Sequence, residues 1–532
     1  MRCLAAVALR VQGGFDWLCE HRAWTLPAAI GAVALLLRLY RLGDKPFWLD
    51  EVTSLRRATA TVPDLVADAL HNAHYPSYFL LLWLVAKLGT SQWLLRLPSA
   101  LCGAAAAGLG CAIGSKVSDE RGGAIAGLLM AVSPFEVQFG QEARSYTLVS
   151  CLILTALYGL IRLAQQPAAA ALPLTRRDAL HGAWTAYSLG TAAALAVLNV
   201  AIPWFVAANV AALVIARAAN GVRPGFWRNW AMAQLLILMV WAPLLVAVYV
   251  SRHGAVLDGA DWAPAETSRT LWSIIAPVYL LRISSFITFD VMPGQIPGLA
   301  LVVVAAAALG AWRLRREPAV LAVLGCAALV LPLGLVLISR FVPLLVPRYF
   351  AWGAGPFFIF AGAGLGQLTA RRFAAASVML GVAGWINLVP YYSYETKPRW
   401  DLLAKKLAEK TRPGDIVLVN NYYAYSLLSL FAARAGLDEH KIKLTWDLPK
   451  AEQVAPGRDV WAVYGRTGQA ARQPAENYER SLAALGHPVV ENSVGRYIVL
   501  WRYAEPNGPD PAALSTPPRD HSDLSMRDAH AP

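Results

Sequence analysis

Charge is what this sequence has least of. Asp, Glu, Lys and Arg make up 15% of its 532 residues, and 57% are hydrophobic. A soluble protein averages about 25% charged and about 45–50% apolar. A soluble nucleic-acid-binding domain is therefore excluded, despite a net charge of +13. Cysteine is scarce as well. Cys3, Cys19, Cys102, Cys111, Cys151 and Cys326 lie in the N-terminal lead-in or in apolar segments, and none has metal-ligand spacing. They read as small buried hydrophobes, and the cysteine-free C-terminal region has no disulfide to lean on. Short alternating strands of the membrane-barrel kind are missing, which excludes a barrel. No internal repeat stands out, which disfavours a transporter or lipid flippase.

What is present is a series of long apolar runs between residues 24 and 392, several near the roughly 20 residues that cross a bilayer. The chain reads as a polytopic α-helical membrane protein with about 11 transmembrane helices plus interfacial helices. The expected spans are 24–42, 94–115, 121–135, 146–164, 183–199, 201–217, 230–250, 295–312, 319–338, 350–370 and 373–391. Residues 1–23 are expected to be a cytosolic lead-in. The apolar run in MRCLAAVALR is short, and no small-residue cleavage site follows it. The segment 78–89 is apolar but only about 18 Å long at 1.5 Å per residue. It is expected to dip into the interface without crossing.

Parity supports this topology. With 78–89 not crossing, Lys116, Arg121, Arg176, Arg177, Arg217, Arg223, Arg228, Arg313, Arg315, Arg316, Arg371 and Arg372 all fall in short cytosolic loops. That is the positive-inside pattern. Four features then share the outer face: loop 43–93, SPFEVQFGQEARSY at 133–146, loop 251–294 with His253, Asp258 and Asp261, and SRFVPLLVPRYF at 339–350. After Tyr392 an amphipathic helix, a Pro-Gly turn and short apolar strands predict a small C-terminal α/β domain over 393–505 on the same, periplasmic, face. The Pro-rich stretch 506–532 has little to bury and is expected to be a disordered tail.

Candidate chemistry gathers on that face. Asp50 and Glu51, in FWLDEV, sit a few residues past the first span. Ionisable groups beside hydrocarbon are expensive, so such a pair reads as functional unless headgroup water simply solvates it. PDLVADAL at 63–70 has Pro63 suited to a first helical turn and an apolar face, the pattern of a helix lying on the membrane. His74 and Tyr75 follow. Glu142 and Arg144 end a later span, either as functional groups or as a local ion pair at a helix end. Arg348, with Tyr349, precedes a long apolar helix, either as an anion ligand or as a snorkelling anchor. Together these supply acids for proton removal, arginines for an anion and aromatics for a ring-shaped substrate.

The order of these motifs resembles the GT-C glycosyltransferases. A first-loop Asp-Glu pair is followed by His-x-Pro before a short helix, RLPSA at 96–100, SPFEVQFGQEARSY and a late PRYF. The likeness covers about residues 24–392. It is closest to the bacterial branch related to dolichyl-phosphate-mannose protein mannosyltransferases and to lipid A aminoarabinose transferase. The resemblance implies an inner-membrane enzyme of the cell envelope. It would move a sugar from a polyprenyl-phosphate carrier to a glycan, lipid or protein acceptor in one inverting displacement. It implies Asp50 as general base, with Glu51 and Glu142 as further catalytic acids. Arg348, Arg144 and His74 would hold the donor phosphate, and Tyr75, Tyr146, His253 and Tyr349 would line the substrate. Two departures matter. His74-Tyr75-Pro76 lacks a proline that relatives often have. Tyr146 stands where the aminoarabinose type has an aspartate, which argues against that reaction. A divalent cation is left open: Asp50, Glu51, Glu142 and His253 could gather round one, but without diagnostic spacing. A wall-polymer ligase or polymerase would share the carrier and differ in the size of what moves.

Overall fold

The computed structural model describes residues 22–165, 174–217, 225–253, 267–283, 298–341, 344–437, 443–445, 447, 458–466, 475–482, 489–494 and 497–503. Most of the expected lead-in, Asp258, Asp261 and the 506–532 tail lie outside them. The chain divides into two compact units, Met1–Lys397 and Pro398–Pro532.

The first unit is helical. In chain order its helices are α1 Arg22–Leu39, α2 Leu49–Thr59, α3 Val62–His71, α4 Ser77–Ala86, α5 Gln92–Val117, α6 Glu120–Val132, α7 Pro134–Gly140 and α8 Tyr146–Ala164. They continue as α9 Leu174–Val197, α10 Ile202–Arg217, α11 Phe226–Ser251, α12 Ser268–Tyr279, α13 Gly298–Leu314, α14 Pro318–Ile338, α15 Ala354–Leu365 and α16 Ala370–Ser393. Each of the eleven expected spans falls on one of these helices. Only six segments among the described residues are long and apolar enough to cross a membrane by themselves: 92–117, 146–164, 199–217, 226–251, 318–338 and 370–393. A seventh is reached if α6 and α7 form one broken span. Length and composition by themselves thus support six or seven of the eleven expected spans. The apolar parts of α1, α13 and α15 are 17 residues or fewer, so they reach about 25 Å at most.

Local chemistry sets the breaks that matter for the site. Pro134 has no N–H to continue α6, and Ser133 caps the new helix by accepting from the Glu136 N–H at 3.4 Å. The axis turns by 59° there. The α7–α8 turn, residues 141–145, then projects Glu142 and Arg144. In α2, Asp50 and Glu51 occupy the first turn and Arg56 and Arg57 the last, complementing the helix dipole at both ends. The helix expected over 63–70 is α3: Thr61 caps it, Pro63 lies in its first turn, and Leu65 and Ala69 are buried. Helix α4 is short, as expected.

Small residues let the bundle close. Helices α13 and α15 pack along one another. A Cβ on Gly310 would strike the Phe360 carbonyl oxygen, and one on Gly364 the Ala306 carbonyl oxygen. Backbones this close are the usual product of small-residue packing in membranes.

The second unit holds a five-stranded sheet in the order β2-β1-β3-β5-β4. Its strands are β1 Ile416–Val419, β2 Lys443–Thr445, β3 Val460–Gly465, β4 Val489–Val494 and β5 Ile498–Tyr503. β1 runs parallel to β2 and β3, whereas β5 is antiparallel to β3 and β4. Helices α17 Trp400–Lys410, α18 Tyr422–Ala435 and α19 Ala475–Ser481 accompany it. Ile416, Leu418, Val460, Ala462, Tyr464, Trp501 and Tyr503 form a buried cluster. Asp415 fixes the β1–β3 entry, accepting from the Asp459 N–H at 3.1 Å and the Trp461 indole N–H at 3.1 Å.

Candidate active site

Asp50 and Glu51 are adjacent, and a helix turns successive side chains by about 100°. They consequently face different surroundings. Asp50 keeps 21% of its side chain exposed. Its Oδ2 lies 3.4 Å from Arg348 Nη1 and 3.9 Å from Arg144 Nε, with those side chains 13% and 8% exposed. Both contacts are loose for charge-assisted bonds, which run about 2.7–2.9 Å. Burial pushes the Asp50 carboxyl up, but Arg348 and then Arg144 outweigh it and hold it below its usual value. It is ionised at neutral pH. Trp48 and Tyr349 flank the Arg348 guanidinium, with ring centroids at 5.6 and 5.8 Å. Phe79 and Tyr146 flank that of Arg144 at 5.9 and 5.8 Å.

His74 stands edge-on to Phe79 at 6.0 Å. Burial, then the charges of Arg144 and Arg57, bring its pKa down to about 3, so it is neutral. Arg57 covers Phe79 at 4.4 Å and ion-pairs with Asp68 at 2.6 Å. Among the described residues, three guanidinium groups, those of Arg57, Arg144 and Arg348, stand with the carboxylates of Asp50 and Asp68 in this region.

Glu51 faces inward and is fully buried. Its Oε1 accepts from Arg96 Nε at 2.7 Å and the Ala143 N–H at 3.0 Å. Its Oε2 accepts from Arg96 Nη2 at 2.9 Å, Lys397 Nζ at 2.7 Å and the Trp48 N–H at 3.4 Å. Burial raises the Glu51 carboxyl, but Arg96 and Lys397 prevail and bring it to about 2. With its lone pairs occupied, Glu51 has none to offer a substrate proton, so its geometry does not support the catalytic role expected of it. Glu142 is also fully buried. Neither of its oxygens has a hydrogen-bond partner, and Lys397 Nζ lies 3.6 Å from Oε1. Burial is the main reason its pKa rises to about 8, with Glu51 and Asp50 adding to it against Lys397. Glu142 is thus held neutral, away from solvent.

The fold brings Asp50, Arg144, Arg348, His74, Tyr146 and Tyr349 together. Tyr75 points elsewhere, and its hydroxyl accepts from the Trp241 indole at 2.9 Å. His253 is exposed just beyond α11, with a positive φ of 50° and no hydrogen bond or ion pair to the Asp50 cluster among the described residues. The cation site left open for Asp50, Glu51, Glu142 and His253 does not assemble among the described residues. Among the described residues no three His, Cys, Asp or Glu side chains group closely enough to hold a metal ion. Sequence reasoning missed Arg96 and Lys397. Arg96 stood in the quoted RLPSA motif, and Lys397 had no signal beyond following the last span.

No family model matches the chain, and no curated protein matches it by sequence. Its structure is similar to that of ArnT from Cupriavidus metallidurans. Against the apo state the TM-score is 0.56 at 14% identity, over 92% of this chain and 99% of that one. Against the form bound to undecaprenyl phosphate it is 0.55 at 14% identity, over 91% and 99%. It is also similar to the archaeal oligosaccharyltransferase AglB from Archaeoglobus fulgidus in complex with an inhibitory peptide and a dolichol-phosphate. There the TM-score is 0.51 at 10% identity, over 84% of this chain and 70% of that one. The chain has the fold of these GT-C membrane glycosyltransferases.

Proposed function

We propose that this protein is an inverting glycosyltransferase that takes a sugar from a polyprenyl-phosphate carrier at the outer face of an inner membrane. The observation that carries the reading is one ionised, partly open carboxylate, Asp50, loosely held between Arg348 and Arg144. A lipid phosphate is a better-matched partner for two guanidinium forks than a single aspartate oxygen. On this reading the phosphate draws both arginines to itself when the donor binds. Asp50 then loses compensating charge and becomes a stronger base.

The chemistry follows. The acceptor hydroxyl approaches the anomeric carbon from the face opposite the phosphate. Asp50 takes its proton while the new C–O bond forms and the bond to the phosphate oxygen breaks. Arg348 and Arg144 stabilise the charge that develops on the departing phosphate. His74, neutral, offers a hydrogen-bonding nitrogen without adding charge, and Tyr146 and Tyr349 supply aromatic walls. The carriers held by the similar structures, undecaprenyl phosphate and dolichol-phosphate, support this choice of donor class. The acceptor is a glycan, lipid or protein hydroxyl. The sidedness inferred from the loop arginines puts the C-terminal domain in the periplasm. It also counts α9 and the shorter helices α1, α13 and α15 among the spans.

The test is a panel of polyprenyl-phosphate sugars offered to the protein in lipid. Release of free polyprenyl phosphate, with inversion at the anomeric carbon of the transferred sugar, is the expected result. Movement of donor across the bilayer with its sugar still attached would instead indicate a flippase.

A further inference from the structure

Lys397 is the last residue of the first unit, far from Asp50 in sequence, and it is 2% exposed. No substrate reaches it. Its ammonium nevertheless sits 2.7 Å from Glu51 Oε2 and 3.6 Å from Glu142 Oε1. Glu51 is the neighbour of Asp50. Its other oxygen accepts from the Ala143 N–H at 3.0 Å, and Ala143 is the neighbour of Arg144. One carboxylate therefore spans the backbone that carries the proposed base and the backbone that carries a phosphate-binding arginine.

The rest of the knot is equally specific. Arg96 grips Glu51 through both Nε and Nη2 and donates to the carbonyls of Leu42 at 2.9 Å, Lys45 at 2.9 Å and Pro46 at 3.2 Å. Lys45 reaches across to the segment that ends in Lys397, donating to the Tyr394 carbonyl at 3.3 Å and Thr396 Oγ1 at 3.0 Å, and also to the Tyr391 carbonyl. Thr396 is fully buried. Residues 394–397 thus form a strap after α16, pinned by two lysines to the start of α2 and to the α7–α8 turn.

We propose that Lys397 is a positioning residue, and that its seating on Glu51 fixes the spacing between Asp50 and Arg144 on which transfer depends. The proposal rests on the glycosyltransferase reading. Arg348 reaches Asp50 from a separate element, so that part of donor binding does not need the strap. Alignment for the chemical step does. A misplacement on the order of 1 Å costs about 10²-fold in rate.

The experiment compares wild type with Lys397→Met, Lys397→Arg and Thr396→Val in lipid. Steady-state kinetics on a turned-over donor, normalised to folded protein, are read beside amide hydrogen exchange over residues 42–52 and 141–145. Lys397→Met is expected to lower kcat about 10- to 100-fold, with a smaller rise in donor KM, and to speed exchange in both segments. Lys397→Arg, which keeps a donor for Glu51, recovers most of the loss. If Lys397→Met does not fold, Thr396→Val decides, because it removes one hydroxyl at constant shape. A severalfold fall in kcat that exceeds any rise in KM supports the proposal. Wild-type kcat in the variants, or a loss confined to KM, overturns it. Failure of wild type to turn over any donor would instead strike the glycosyltransferase reading. The exchange data still test the strap in that case, and unchanged protection of 141–145 in Lys397→Met overturns it.

Discussion

Asp50 and Glu51 are neighbours with opposite fates, and the difference lies in what each meets. Asp50 stays partly exposed beside the guanidinium groups of Arg348 and Arg144. Glu51 turns inward and is consumed by Arg96, Lys397 and two backbone N–H groups. The sequence shows an acidic pair a few residues past an apolar run. It does not show which member faces in, because that depends on α2's rotation against α5 and the α7–α8 turn. Arg348 and Arg144 were legible as residues beside apolar helices, but not as partners of one carboxylate.

Arg348→Ala is expected to raise donor KM at least tenfold, as one charge-assisted fork on the phosphate is lost. Donor titration measures it, and an unchanged KM would remove Arg348 from the donor site. The buried groups also predict a pH response. His74 has a folded pKa of about 3 against about 6.5 unfolded. The stability it contributes is present above about 6.5 and is lost as pH falls towards 3. Glu142 runs the other way. With a folded pKa of about 8 against about 4.3 unfolded, its contribution is full below about 4.3 and is lost as pH rises through 8. Between about pH 4.3 and 6.5 the two oppose each other, so thermal melts read His74 by difference: on going from pH 7 to pH 4, His74→Gln is expected to lose less stability, or gain more, than wild type. They should also show a loss from pH 7 to pH 9 that Glu142→Gln lacks. Parallel profiles for wild type and variants would contradict both assignments.

At the scale of elements, apolar periodicity located the helices, because burial or lipid contact is written into composition. It did not set their lengths. α13 and α15 are too short by composition to be read as spans alone, and α6–α7 is interrupted by Pro134. Nor did it reveal the contact between α13 and α15, since Gly310 and Gly364 look like ordinary glycines until their backbones meet. Gly364→Val is expected to destabilise the protein by about 1–3 kcal/mol through overpacking. Gly325→Val, where an added Cβ meets nothing within 4 Å, serves as the control. Melting temperatures in detergent distinguish them, and equal melting would mean that the close approach is not needed.

For the whole molecule, hydropathy announced a polytopic membrane protein, and motif order pointed to the GT-C fold that the structure has. The parallel β1–β3 pairing and the β5 return of the C-terminal sheet could not be read from short apolar runs, because strand partners are set by long-range contacts. The proposed orientation predicts that Arg56→Cys, in a cysteine-free background, reacts with a membrane-impermeant maleimide from the outer side. Arg315→Cys reacts only after permeabilisation. The reverse pattern would turn the molecule over.

The most direct measurement takes wild type and Asp50→Asn side by side in lipid. It records donor binding and the release of free polyprenyl phosphate in the same preparation. A general base is worth about 10²–10⁴-fold. Asp50→Asn is therefore expected to bind the donor at least as tightly as wild type, since Arg348 and Arg144 no longer share their charge with a carboxylate, and to release phosphate slower by that factor. Release at the wild-type rate from Asp50→Asn would contradict the assignment of Asp50 as the base and, with it, the mechanism built on it.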